Sequence, residues 1–201
     1  MLALEVPMIT DVPTDGPGVL ALEKKARSIG TGLDTNQLSG SWLLSRTWSR
    51  RGISSPRGTA VLLRTLKACL ILERQGEDLA IANQISVGPL SLRFDGQAKL
   101  RGLRPLLIFN FTRMSLLVRS QRLLVQDLPA PKPDRMPFFA LIGSGSDGSW
   151  LCARGRGGGL AVWTRDDSAS RPHTTTANAI KRDLNKTPKP AIEERIQSKD
   201  A

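Results

Sequence analysis

Leu90-Ser91-Leu92-Arg93-Phe94-Asp95-Gly96-Gln97-Ala98-Lys99-Leu100 alternates apolar and polar residues along its length. Leu90, Leu92, Phe94, Ala98 and Leu100 share one face, and Ser91, Arg93, Asp95, Gln97 and Lys99 share the other. Successive side chains of an extended chain point to opposite sides. This is therefore the pattern of a strand with one face on a core and the other in water. The same period of two extends in both directions. Before it come expected strands at 41–48, 66–74 (Leu66, Ala68, Leu70 and Leu72 on one face) and 78–87 (Leu79, Ile81, Ile85 and Val87 inward). Gln75-Gly76-Glu77 between the last two suits a hairpin. After it come expected strands at 106–113, 115–120, 122–127, 138–143, 149–154 and 159–165. Many short strands joined by tight turns indicate an all-β sandwich or barrel. A barrel also removes free edges and encloses a space.

Outside this core the pattern changes. Residues 1–17, with Glu5, Asp11, Asp15 and three prolines, read as a flexible arm without the basic and apolar regions of a signal peptide. Residues 19–29 read as one short helix with Val19, Leu20, Leu22 and Ala26 on its apolar side and Gly30 as its terminal cap. Residues 31–38 connect this helix to the first strand, and 54–65 have room for a second short helix. From 166 to 201 the apolar pattern stops. That stretch reads as a disordered polar tail, with room for a short helix at 191–197. The expected organisation is thus an arm at 1–17, one β-domain at 18–165 and a tail at 166–201.

Charge and chemistry narrow the function. The chain of 201 residues carries a formal net charge of +11. Residues 38–165 hold 19 Lys/Arg against 7 Asp/Glu, so the excess belongs to the strands. Such a surface favours anionic partners. Arg46, Arg50, Arg51 and Arg57 suit a patch facing a membrane or nucleic acid, or simply a solvated rim. No run of about 18 apolar residues is present, so membrane contact is expected to be peripheral and the location cytoplasmic or at a membrane surface. Cys69 and Cys152 each lie in an apolar strand-like run, outside any metal-ligand spacing, and read as buried thiols. The single histidine, His173, lies in the tail. That excludes a His-based metal site or a Ser-His-Asp triad in the core. With no paired carboxylates either, catalysis is not expected, and no metal or cofactor is implied.

Gly40-Ser41-Trp42, after a short helix and at the head of the first strand, resembles the Gly-x-Trp opening of lipocalin-like barrels. Glycine permits the tight turn into the barrel floor, and tryptophan plugs the closed end. In such barrels an arginine from a late strand packs across that ring. Arg154 and Arg165 are the candidates. A second stretch, Leu151-Cys152-Ala153-Arg154-Gly155-Arg156-Gly157-Gly158-Gly159-Leu160-Ala161-Val162-Trp163, reads as strand, glycine-rich hairpin and final strand. It lacks the Lys-Ser/Thr of a phosphate loop and joins two strands, so it is read as a turn. Together with Leu22-Glu23 in the helix and Leu38-Ser39-Gly40-Ser41-Trp42-Leu43-Leu44, it is similar to the plastid lipid-associated proteins, or fibrillins. The resemblance spans roughly residues 18–165, with motif-specific ends. It departs where the family has a Tyr-Leu-Asp-Glu-like stretch, since this chain has no tyrosine.

That resemblance implies a lipocalin-like antiparallel β-barrel that binds a lipid, quinone or carotenoid without catalysis, at or near thylakoid membranes. A cyanobacterial member fits the N-terminus better than a plastid precursor. Trp42 would close the floor and Arg154 would brace it. Trp42, Leu70, Ile81, Leu92, Phe94, Phe109 and Arg154 would face the ligand, although phenylalanines in such positions also simply fill a core. The alternative is a chromophore lyase that presents an anionic bilin from a similar barrel. Nucleic-acid binding ranks last, because it needs exposed aromatic side chains for base stacking.

Overall fold

The structure, a computed structural model, describes residues 11–54 and 66–167. The helix expected at 54–65 lies outside them apart from Ser54, which bridges to Trp48. The arm before residue 11, the tail after 167, the helix at 191–197 and His173 lie outside them as well.

Among the described residues, two α-helices lead into nine strands. Helix α1 is Gly16–Ile29 and α2 is Thr35–Leu38. The strands are β1 (Gly40–Trp48), β2 (Lys67–Gln75), β3 (Asp78–Val87), β4 (Leu90–Arg101), β5 (Leu106–Val118), β6 (Gln121–Asp127), β7 (Phe138–Ser144), β8 (Trp150–Gly155) and β9 (Leu160–Arg165). They form one antiparallel sheet in the order β4-β3-β2-β1-β9-β8-β7-β5-β6, and β4 also pairs with β5. Eight strands therefore close into a ring. On its second edge β5 pairs with β7 through Leu106, Leu107 and Ile108, then with β6 from Arg113 to Val118. The expected all-β sheet with a short preceding helix is present.

The two helices start at Asp15 and Asp34. The Asp15 carboxylate accepts from the Gly18 N–H at 2.7 Å. The Asp34 carboxylate accepts from the Asn36 and Gln37 N–H groups, while Gln37 accepts from the Asp34 N–H. These side chains satisfy donors that a helix start leaves open. The N–H of Gly30 closes α1 on the Ala26 carbonyl at 3.0 Å.

The strands divide the apolar side chains into two packed groups. Inside the ring lie Trp42, Leu70, Leu72, Leu79, Ile81, Leu107, Phe109, Leu141 and Leu151, over Leu38 of α2. Outside it, α1 lays Val19 on Trp48, Ile142, Trp150, Cys152, Leu160 and Val162. β8 and β9 serve both groups because their alternate side chains face opposite sides, whereas β1 does so because its alternation slips. Leu44 pairs with Trp163 but Arg46 with Val162, so one residue is bulged and Trp48 turns to the outer group. Asp95 pairs with Arg113 but Gly96 with Phe111, so Thr112 is left over in β5. Gly96 is needed there, since a Cβ would collide with the Asn110 carbonyl. This bulge corrects the expectation of separate strands at 106–113 and 115–120: they are one continuous strand whose inward side changes from odd to even residues.

Candidate functional site

The closed end is built around Trp42, which is fully buried. Its Nε1 donates to the Leu38 carbonyl at 2.8 Å, which ties the ring floor to α2. The guanidinium of Arg165 lies 4.3 Å from the centre of the Trp42 ring. Arg165 is held there by three main-chain oxygens: Nε donates to Gly148 at 2.7 Å, Nη1 to Ser39 at 3.0 Å and Nη2 to Gln37 at 3.3 Å. A cation over an indole face is attracted by the ring quadrupole, and these anchors fix it without a carboxylate. Gly40 has φ +142°, and a Cβ on it would run into that guanidinium. Of the two arginines expected over Trp42, Arg165 takes the position.

Arg154 does not brace the floor or face the interior. Leu151 and Ala153 of β8 point into the ring, so Arg154 points out with Trp150 and Cys152, toward α1. Its Nε and Nη2 donate to the two carboxylate oxygens of Glu23 at 2.7 and 2.5 Å, and its Nη1 donates to the Gly158 carbonyl. Arg27 and Arg104 also reach Glu23 Oε1, at 3.0 and 2.8 Å. The Glu23 side chain is only 4% exposed. Hydrogen bonding to Arg154, reinforced by Arg27, outweighs the cost of burial and lowers the Glu23 pKa to about 2. The same contact raises the Arg154 pKa. This cluster was not anticipated. Its sequence signal is Glu23 itself, four residues after Val19 and three before Ala26 on the apolar side of the helix, where a carboxylate needs a cationic partner.

The remaining expected ligand residues separate by height within the ring. Trp42, Leu70, Ile81 and Phe109 are all buried in the inner packed group, at or near the floor. Phe109 stacks at an angle on Phe111 and Phe139, 5.3 and 5.0 Å between centroids. Phe94 lies 5.6 Å from Phe111. Leu92 is one step further from the floor, opposite Ile85 and Leu116. Register places Ile85, Leu92, Phe94, Met114 and Leu116 on one face, and all five are half-buried. The lower part of the ring is thus a filled core, and the upper part is a mainly apolar, half-exposed wall that also carries Asn83 opposite Phe94.

At the rim the wall continues outward. Val87 pairs with Leu90, and the Arg119 N–H at the next hairpin donates to the Pro89 carbonyl at 2.8 Å. Val87 and Leu90 are exposed on the first of these hairpins and Arg119 and Arg122 on the second, while Leu123, Leu124 and Val125 are exposed along β6 on the other edge of β5.

Both cysteines are free thiols. Burial pushes the Cys152 thiol up to about 12 and raises Cys69 as well. A thiolate is the reacting species, so neither should be a ready nucleophile. In the native protein an aromatic disulfide reagent at pH 8 is expected to leave Cys152 unmodified and to label half-buried Cys69 slowly. Unfolding in urea should release two thiols. Rapid native labelling of both would contradict the packing of β8 under α1.

Among the described residues, no three His, Cys, Asp or Glu side chains gather as a metal site, and no helix is long and apolar enough to cross a membrane. Neither the family models nor the curated proteins matched this chain.

Proposed function

We propose that the ring is a lipocalin-like barrel of the fibrillin kind. It binds a hydrophobic molecule such as a lipid, quinone or carotenoid, without catalysis, at or near photosynthetic membranes. The observation that carries this reading is the half-buried apolar wall of Ile85, Leu92, Phe94, Met114 and Leu116 above a packed floor. Apolar side chains left partly open on a concave face gain free energy when a ligand covers them, by about 25 cal/mol per Å² of apolar surface removed from water. The binding position is the open end of the ring, in contact with Leu92 and Phe94. Leu70, Ile81 and Phe109 support it from beneath.

Peripheral membrane contact belongs to the same reading. Exposed Val87 and Leu90 lie beside Arg119 and Arg122, and such a combination of apolar tips and cations suits an anionic bilayer surface.

The test is organic extraction and mass spectrometry of the protein purified from a photosynthetic host. A stoichiometric quinone, carotenoid or lipid is the expected result. A folded protein that carries nothing, and that takes up none of these from detergent solution, would overturn the reading. A shifted, intensified absorption on adding phycocyanobilin would move it to the bilin-presenting alternative.

A further inference from the structure

Between α1 and the β8–β9 hairpin runs a cleft of about 560 Å³, on the outside of the ring. Five cationic side chains line it: Lys24, Arg27, Arg50, Arg154 and Arg156. Among the described residues, the one carboxylate that lines it is Glu23, already engaged by Arg27, Arg104 and Arg154. One carboxylate facing three guanidiniums leaves a local excess of positive charge, which Lys24, Arg50 and Arg156 increase. Asp134 lends Arg156 its main-chain carbonyl, while its own side chain is 75% exposed. Within the same cluster the buried Arg104 Nε has no hydrogen-bond partner.

Two of the cations are already held in place. Arg156 donates through Nη1 to the Met136 carbonyl at 2.7 Å and through Nη2 to the Asp134 carbonyl at 2.6 Å. Arg154 is fixed by Glu23 and by the Gly158 and Arg50 carbonyls. A guanidinium fixed in this way loses little rotamer freedom when it meets an anion. The two carbonyl partners of Arg156 also leave its charge unneutralised. The hairpin adds access, because Gly155, Gly157 and Gly158 line the cleft and a Cβ on Gly157 would meet nothing within 4 Å. Leu20 and Phe138 supply an apolar stretch of wall.

We propose that this cleft is a binding site for a phosphate ester, its phosphate held by Lys24, Arg50 and Arg156 and its organic part against Leu20 and Phe138. A tetrahedral oxyanion accepts from several donors at once, which suits convergent Lys and Arg better than a single carboxylate would. The volume exceeds what a bare phosphate fills. The site does not rest on the ring holding a lipid, and the two readings fail separately.

The phosphate can come from a lipid headgroup or from a soluble ester, and two probes distinguish them. Calorimetric titration with glycerol 3-phosphate at low salt tests the soluble source. Co-sedimentation with phosphatidylglycerol vesicles, against phosphatidylcholine vesicles, tests the headgroup. The double variant Lys24→Ala/Arg50→Ala removes two exposed cations and leaves the Glu23 cluster intact. Arg74→Ala/Arg101→Ala is a control with the same loss of charge at exposed positions near strand ends, away from both the cleft and the Arg119/Arg122 rim. Affinity for at least one probe should fall about tenfold or more in the first variant and stay within about twofold in the control. Both variants should melt like the parent. The proposal is overturned if neither probe binds saturably, if Lys24→Ala/Arg50→Ala binds as the parent does, or if both variants weaken binding alike.

Discussion

Trp42→Ala is expected to destabilise the protein by about 3–5 kcal/mol, the range for deleting a large buried aromatic side chain. Three losses combine at this position. The indole is fully buried among Leu38, Leu70 and the other inner residues, so its removal leaves a cavity in the floor. The Leu38 carbonyl loses the Nε1–H donor that links α2 to β1. Arg165 loses the ring beneath it but keeps its three main-chain acceptors. Urea unfolding measures the sum, and two further variants divide it. Trp42→Phe keeps much of the apolar area but loses the N–H, and should cost about 1–3 kcal/mol. Arg165→Ala removes the cation and its hydrogen bonds, and should cost about 1–3 kcal/mol. A Trp42→Ala protein with the parent's urea midpoint would mean that Gly40-Ser41-Trp42 does not close the ring.

Local pattern was a good guide where a strand keeps its phase, and a poor one where the phase slips. The β3 and β4 alternation could be read directly, because Leu79, Ile81, Leu92, Phe94 and Ala98 lie on stretches without a one-residue slip on their own strand. A single bulged residue moves every later side chain to the other face. Thr112 does this in β5, so one strand of thirteen residues reads as two. The slip between Leu44 and Arg46 likewise puts Trp48 under α1, where continued alternation from Trp42 would have placed it inside. The floor was legible because a glycine before a strand-leading tryptophan is a local signal. Its arginine was narrowed to two candidates, and the parity of β8 decides between them: with Leu151 and Ala153 inward, Arg154 must face out. The partner of Arg154 could not be read from spacing, since Glu23 is 131 residues away in sequence. Nor could the ring closure be read from any single segment, because the β1–β9 pairing joins the two ends of the domain.

Glu23→Gln is expected to cost about 3–5 kcal/mol, as much as the loss of the floor tryptophan, because it leaves Arg154 and Arg104 without their counter-charge in a shielded site. The acid limb of the stability curve checks this independently of the mutation's size. With its pKa lowered from 4.5 to about 2, Glu23 stays ionised in the folded protein where the unfolded chain takes up a proton. Its contribution is therefore complete above pH 4.5, falls as the pH drops through the interval and is gone below about 2. The shift corresponds to roughly 3 kcal/mol at neutral pH. Glu23→Gln has no such proton to take up, so its stability should fall less steeply than the parent's between pH 5 and pH 2. A steric effect of the substitution would instead lower the variant's curve parallel to the parent's, and that result would remove Glu23 from the electrostatic account. The double variant Glu23→Leu/Arg154→Met completes the cycle. Replacing Glu23 and Arg154 together by apolar side chains strands Arg104 alone, where Glu23→Gln strands both arginines, so the double change should cost less than Glu23→Gln alone. If it costs more, the pair contributes net stability. The clamp between α1 and β8 would then depend on attraction between the two charges, and not on the penalty of separating them.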